Sequence, residues 1–163
     1  MNVDDFKSVM RRWASTVTII TTRADVQIYG LTATAFSSLG INPPTVFVCI
    51  NGVSRTHALV AASGIFCVNF LTPEMKDFSD RFAGRLPDVE RFAGLAHHGA
   101  ATGAPVLNDA LAYLDCKIID SHVGGNHTIF IGEVLAGGVQ HPDAAPLVYY
   151  SGAYHEIGAK LAA

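Results

Sequence analysis

The chain has 163 residues, half of them hydrophobic and only 15% charged, with a formal net charge of −3. That length suits one domain, spanning residues 1–163, with a substantial core, and the composition excludes disorder. Fourteen acidic against eleven basic residues leave no electrostatic footprint for nucleic acid. The apolar runs, such as residues 45–50, fall far short of the roughly 18 residues a membrane helix needs, so no membrane partner is expected. So much apolar surface with so little charge predicts a homo-oligomer. The N-terminus lacks a basic stretch followed by an apolar run, which points to a cytoplasmic location. Cys49, Cys67 and Cys116 each sit in an apolar run, at spacings that match neither a zinc set nor a redox pair. They are expected as buried core thiols in a reducing compartment.

Phe6, Val9, Met10 and Trp13 recur at i, i+3, i+4 and i+7, the stripe of an amphipathic helix. The pattern then turns to β: residues 16–22 are a β-branched run, followed after a short polar loop by residues 27–32. Asn42, Pro43 and Pro44 punctuate the next boundary, and residues 45–50 form a strand. Ser54 is placed to cap a helix over residues 55–62, with Gly64 as its stop. Residues 65–71 read as a strand and residues 74–83 as helix. Residues 84–108 read as loops, with a helical turn near residues 89–92. Strands over residues 112–123, 128–138 and 147–157, the last broken near Gly152, close the chain. Some seven strands with few crossover helices exclude alternating βαβ units. The expected fold is mainly β, a closed or nearly closed antiparallel barrel with a few peripheral helices.

No G-x-G-x-x-G after a strand, no G-x-x-x-x-G-K-[ST] and no G-x-S-x-G occurs, so a bound nucleotide must be held by another device. One candidate is Ser54-Arg55-Thr56, where helix-start N–H groups, two hydroxyls and a guanidinium suit a phosphate, although Ser54 also serves as a simple cap. A second is the small, hydroxyl-rich stretch of residues 30–39, which either lets a flat ring lie against the backbone or packs under a neighbouring helix. A third is the turn Gly124-Gly125-Asn126-His127, which sets His127 at a barrel rim or is an ordinary hairpin. The remaining histidines lack metal-binding spacing, and no metal is expected.

In this order these segments resemble the short-chain flavin reductases, the small reductase components of two-component flavin monooxygenases. The likeness runs from Trp13 to Tyr154 and includes GLTATAFSSLGINPP, Phe66-Cys67-Val68-Asn69, Phe78-Ser79-Asp80-Arg81-Phe82-Ala83 and Gly132-Glu133-Val134. It implies an FMN-binding antiparallel split β-barrel, Greek-key-like, working as a homodimer, with FMN or FAD and with NADH or NADPH as hydride donor. It implies that Thr32, Ala33, Thr34, Ala35, Phe36, Ser37 and Ser38 line the ring and ribityl chain, with Ile50 and Asn51 flanking the ring. Ser54 and Thr56 would hold the phosphate, helped by Arg55 or Arg81, and Tyr154 would also touch the cofactor. His127 matches the histidine of the family's G-D-H motif on the nicotinamide side, but Asn126 stands where the family has aspartate, which removes a possible partner of His127. The implied activity is NAD(P)H-dependent flavin reduction, with reduced flavin passed to a partner monooxygenase or to another acceptor such as ferric iron. A non-catalytic flavin-binding module and a barrel for an apolar ligand or partner protein remain open at this point.

Overall fold

A computed structural model describes residues 1–85 and 91–159, apart from the side chain of Arg85. Residues 86–90, part of the expected helical turn near residues 89–92, lie outside the described residues. Helix α1 (Val3–Met10) is capped by Asn2, whose side chain accepts from the Asp5 N–H. The strands are β1 (Ser15–Thr16), β2 (Thr18–Ala24), β3 (Gln27–Ala33), β4 (Phe36–Ile41) and β5 (Pro44–Asn51). Then follow α2 (Arg55–Ser63), β6 (Ile65–Phe70), a turn of 3-10 helix at Pro73–Met75, α3 (Lys76–Asp80) and a further helical turn over Arg81–Arg85. The chain ends with β7 (His97–Gly99), β8 (Pro105–Leu107), β9 (Ala112–Gly124), β10 (His127–Val139), β11 (Val148–Tyr150) and β12 (Ala153–His155).

Seven strands pair in the order β3-β2-β6-β9-β10-β5-β4, antiparallel throughout. The architecture is the antiparallel split barrel that the resemblance implied, and its ladder does not close. Its two edge strands, β3 and β4, are consecutive in the chain and joined by residues 34–35 alone, so the sheet curls until its edges flank that link. The Cys49 N–H donates to the Ala35 carbonyl at 2.9 Å and ties the link to β5. Residues 30–39, read from the sequence as one stretch, are thus two strands on opposite edges of the sheet.

β2 is the pivot, buried from Thr18 to Thr22 because both of its faces are covered. Ile20 points into the barrel with Val48, Ile50, Val60, Phe66 and Val68. Ile19 faces a second core with Leu71, Met75, Phe82 and Leu107. The threonines between them reach backbone carbonyls: Thr18 Oγ1 donates to Ala33 at 2.7 Å and Thr22 Oγ1 to Ile65 at 2.9 Å. The fully buried Asn69 accepts from the Leu107 N–H at 2.8 Å, so no polar group there is stranded. That bond also anchors β8, which with β7 forms a small sheet within residues read from the sequence as loops. The closing strand is a hairpin, β11 and β12, turned at Ser151 and Gly152, both with positive φ.

The α1 stripe has the expected spacing but covers nothing. Phe6, Val9, Met10 and Trp13 are 48–70% exposed. The cysteines also divide: Cys67 and Cys116 are fully buried, whereas Cys49 is half-buried at a cavity wall. Burial, then the charge of neighbouring Asp115, pushes the Cys116 thiol up to about 12 and Cys67 well above its usual value. Among the described residues, no helix is long and apolar enough to cross a membrane.

Candidate functional site

Where the split edge, the end of β5 and the start of α2 meet, a groove of about 470 Å³ opens, within the range of cofactor sites. Residues 31–35 form one wall; Cys49, Ile50 and Asn51 form another; Ser54, Arg55 and Thr56 close one end. Phe82, Ala83, Gly84, Arg91 and His127 complete the lining. Among the described residues no strand pairs with the outer edge of β3, and the small side chains and main-chain groups of residues 32–35 face this space.

Ser54 does cap α2: its φ and ψ are extended (−76°, 142°), and Oγ accepts from the His57 N–H at 3.1 Å. Its hydroxyl proton has no acceptor among the described residues, so capping and donation into the groove are compatible. Asn51 shapes the turn before the helix, its Oδ1 accepting from the Val53 N–H at 3.2 Å. Two of the expected hydroxyls are committed elsewhere. Thr56 is buried and donates to the Gly30 carbonyl at 3.2 Å, which clamps the start of α2 onto β3. Thr32 donates to the Ser79 carbonyl at 2.6 Å, joining β3 to α3. Thr34, at the link, makes no side-chain hydrogen bond among the described residues.

Two guanidinium groups stand at the helix end. Arg55 lies over the Tyr29 ring, 4.3 Å from its centroid, and Arg91 donates to the Gly30 carbonyl. Among the described residues that line the groove, Arg55 and Arg91 bear positive charge and none is a carboxylate. Helix-start N–H groups, the Ser54 hydroxyl and two guanidinium groups together suit an oxyanion such as a phosphate. His127 also lines the groove, paired in register with Asn51. Among the described residues no group of three or more His, Cys, Asp or Glu is set to hold a metal.

Five residues implied by the resemblance lie outside this lining. The Phe36 ring turns into the barrel and packs edge-on against Phe70, with centroids 5.3 Å apart. Ser37 and Ser38 continue along β4 opposite Phe47 and Val46, away from the opening. Arg81 stacks over the Phe78 ring at 4.9 Å and donates to the Ala93 carbonyl, both outside the groove. Tyr154 bonds Ser79 Oγ at 2.9 Å and Asp80 Oδ1 at 3.0 Å, and lines a smaller cavity of about 260 Å³. That cavity adjoins the groove through their shared residues Thr32, Ala33, Thr34 and Ala83. Conversely, Cys49 and Arg91 were not singled out from the sequence. Cys49 carries no motif, and Arg91 follows a stretch without periodicity, so only the tertiary fold brings either to the wall.

Comparison with known proteins places this groove in context. The family model described as flavin reductase like domain matches residues 10–158. FMN reductase (NADH) RutF of Stutzerimonas stutzeri is 39% identical over 155 residues, covering 94% of this chain and 88% of its own. The reductase subunit HsaB of a flavin-dependent monooxygenase from Mycobacterium tuberculosis is 37% identical over 153 residues, covering 93% of this chain and 81% of its own. The solved structure of flavin reductase HpaC complexed with NADP+ superposes with a TM-score of 0.87 at 31% identity, covering 96% of this chain and 98% of that one.

Proposed function

The chain belongs to the flavin reductase-like domain family and is an oxidoreductase of that family, and from that premise we propose that its groove takes FMN or FAD and receives NADH or NADPH beside it. The observation that carries this reading is the groove itself. It combines a wall of small residues at an edge of the sheet, a capped helix start with two guanidinium groups at one end and, among the described residues of the lining, no carboxylate. These features fit a flat ring bearing a phosphate, since the ring needs close main-chain approach and the phosphate needs cations and N–H donors. When bound, a flavin would supply the redox chemistry, that of hydride transfer from a reduced nicotinamide.

The protein's own part is positional. Residues 32–35 with Ile50 and Asn51 hold the ring, and Ser54, Arg55 and Arg91 hold the phosphate. Thr56 and Thr32 act mainly as clamps, keeping α2 and α3 fixed against β3. His127 faces the nicotinamide. Binding both partners in one groove converts an encounter into an oriented approach, and no protein nucleophile or proton shuttle is required.

We further infer a single domain acting as a homodimer in the cytoplasm, in which the exposed α1 stripe is covered, with reduced flavin passing to a partner monooxygenase. The relationship to a monooxygenase reductase subunit supports the last point. The deciding experiment follows absorbance of the reduced nicotinamide with purified protein, NADH or NADPH, and FMN or FAD in every pairing. Sustained oxidation in at least one pairing is expected. Tight flavin binding without turnover in any of them would reduce the chain to a binding module.

A further inference from the structure

The β9–β10 turn that carries His127 is tight. Of its two central residues, Gly125 has φ of 62° and Asn126 has no positive φ, the pattern of a type II′ turn with glycine at the first central position. Asn126 is held at both ends. Its backbone carbonyl accepts the Gly52 N–H at 2.9 Å, which fastens this turn to the one leading into α2. Its side-chain Oδ1 lies 2.8 Å from His127 Nδ1. The loss of aspartate at position 126 therefore leaves His127 with a partner, contrary to the expectation from the sequence.

That partner differs chemically from aspartate, because an amide oxygen accepts a hydrogen bond without adding charge. An accepting Oδ1 requires that Nδ1 carry the proton, which leaves Nε2 with its lone pair. Nε2 makes no hydrogen bond among the described residues, and the ring lines the groove. Among the described residues the other ionisable groups lining that groove are Cys49 from β5, Arg55 from α2 and Arg91; Asn51, opposite His127 in the ladder, and Gly124 are neutral. No carboxylate among them competes with Asn126 for the imidazole.

We propose that Asn126 is a positioning residue that holds His127 as the neutral Nδ1–H tautomer, so that Nε2 accepts a hydrogen bond from the carboxamide N–H of the nicotinamide. This rests on the placement of the nicotinamide beside His127. The selection matters because free imidazole side chains favour the opposite tautomer, whose Nε2–H can bond only the carboxamide oxygen and so demands the amide turned the other way.

The test combines nitrogen-15 NMR of the His127 ring with steady-state kinetics of wild type, N126A, N126D and H127A, each checked for folding by circular dichroism. The wild-type ring is expected to give the Nδ1–H signature and N126A the Nε2–H signature. N126A should raise KM for the reduced nicotinamide about fivefold, the worth of one ordinary hydrogen bond, while kcat and the KM for flavin hold. N126D should restore a low KM at alkaline pH, because its carboxylate also accepts from Nδ1–H. It should also move the pH midpoint of that KM upward, because a neighbouring negative charge favours the imidazolium. An Nε2–H signature in the wild type, or N126A with unaltered nicotinamide KM, overturns the proposal even where H127A raises that KM. If H127A itself leaves nicotinamide kinetics unchanged, the placement of the nicotinamide fails instead.

Discussion

Gly30 is the point at which the groove and the second core are most tightly coupled, and Gly30→Ala measures that coupling. A Cβ there would sit 2.7 Å from Phe82 Cε1, 3.0 Å from Cδ1 and 3.1 Å from the Ile20 carbonyl oxygen. The φ of Gly30 is not positive, so the substitution brings crowding without backbone strain. Ile20 lies in β2, which is paired on both sides, and cannot retreat, while Phe82 is 1% exposed and stacked edge-on against Phe92 at 5.0 Å. The phenyl ring must shift within a filled core, which costs about 1–3 kcal/mol, or a fall in Tm of about 4–8 °C for a chain of this size if the cost is near 2 kcal/mol. Any displacement of β3 also moves the Gly30 carbonyl that Thr56 and Arg91 share, so flavin affinity should fall together with stability. Thermal unfolding and quenching of flavin fluorescence, measured on G30A, F82L and the double variant, read both effects. F82L removes the obstructing ring edge, so the double variant should lose less than the two single losses added together. Strict additivity, or an unchanged Tm for G30A, would refute the steric account.

Arg91→Ala should weaken FMN binding about tenfold or more, as expected for loss of a charged hydrogen bond to phosphate. Arg81→Ala should do so much less, and riboflavin, which has no phosphate, should bind both variants alike; equal effects of the two substitutions in fluorescence titrations would contradict the assignment. In the native protein a thiol reagent should label Cys49 alone, and bound FMN should slow that labelling. Reaction at Cys67 or Cys116 before unfolding, read by mass spectrometry, would contradict their burial. The same burial sets an alkaline trend. Thiols raised in the fold but ordinary when unfolded cost nothing below pH near 9. From there toward about 12 the unfolded chain loses the Cys116 proton first, and stability falls by up to about 1.4 kcal/mol per pH unit on its account, with Cys67 acting in the same direction. Denaturant titrations of Cys116→Val should show a shallower decline. Trp13→Glu places a charge within the exposed α1 stripe and should shift the species seen by light scattering from dimer to monomer; a wild type that is already monomeric would remove the inferred dimer.

Local chemistry made the framework legible, and distance in the chain hid the rest. The α2 boundaries were readable because Ser54 and Gly64 signal a cap and a left-handed stop, and Gly64 does adopt φ of 69°. β2 was readable from its β-branched run. The α1 periodicity identified a helix face but carried no information on what meets that face. β7 and β8 were missed because their pairing, His97 with Leu107, depends on Asn69 and the sheet beneath rather than on local pattern. In the site, Ser54, Arg55 and residues 32–35 were accessible as motifs. The fate of their hydroxyls was not, since Thr32 and Thr56 are bonded to carbonyls 47 and 26 positions away. Arg81 and Arg91 look alike in sequence, and only their tertiary contacts tell them apart: Arg81 stacks on Phe78, whereas Arg91 reaches the Gly30 carbonyl at the groove.

The joint between β3 and β4 has a consequence for how such a frame can diversify. Each flanking strand is already zipped to its neighbour on the far side, β3 to β2 and β4 to β5. An added or deleted residue in the two-residue hinge 34–35 would therefore resize the aperture while the β3–β2 and β4–β5 pairings keep their register, losing at most the bond between Ala35 and Cys49. The molecule thus keeps its guest-facing margin adjustable while its scaffold stays in register.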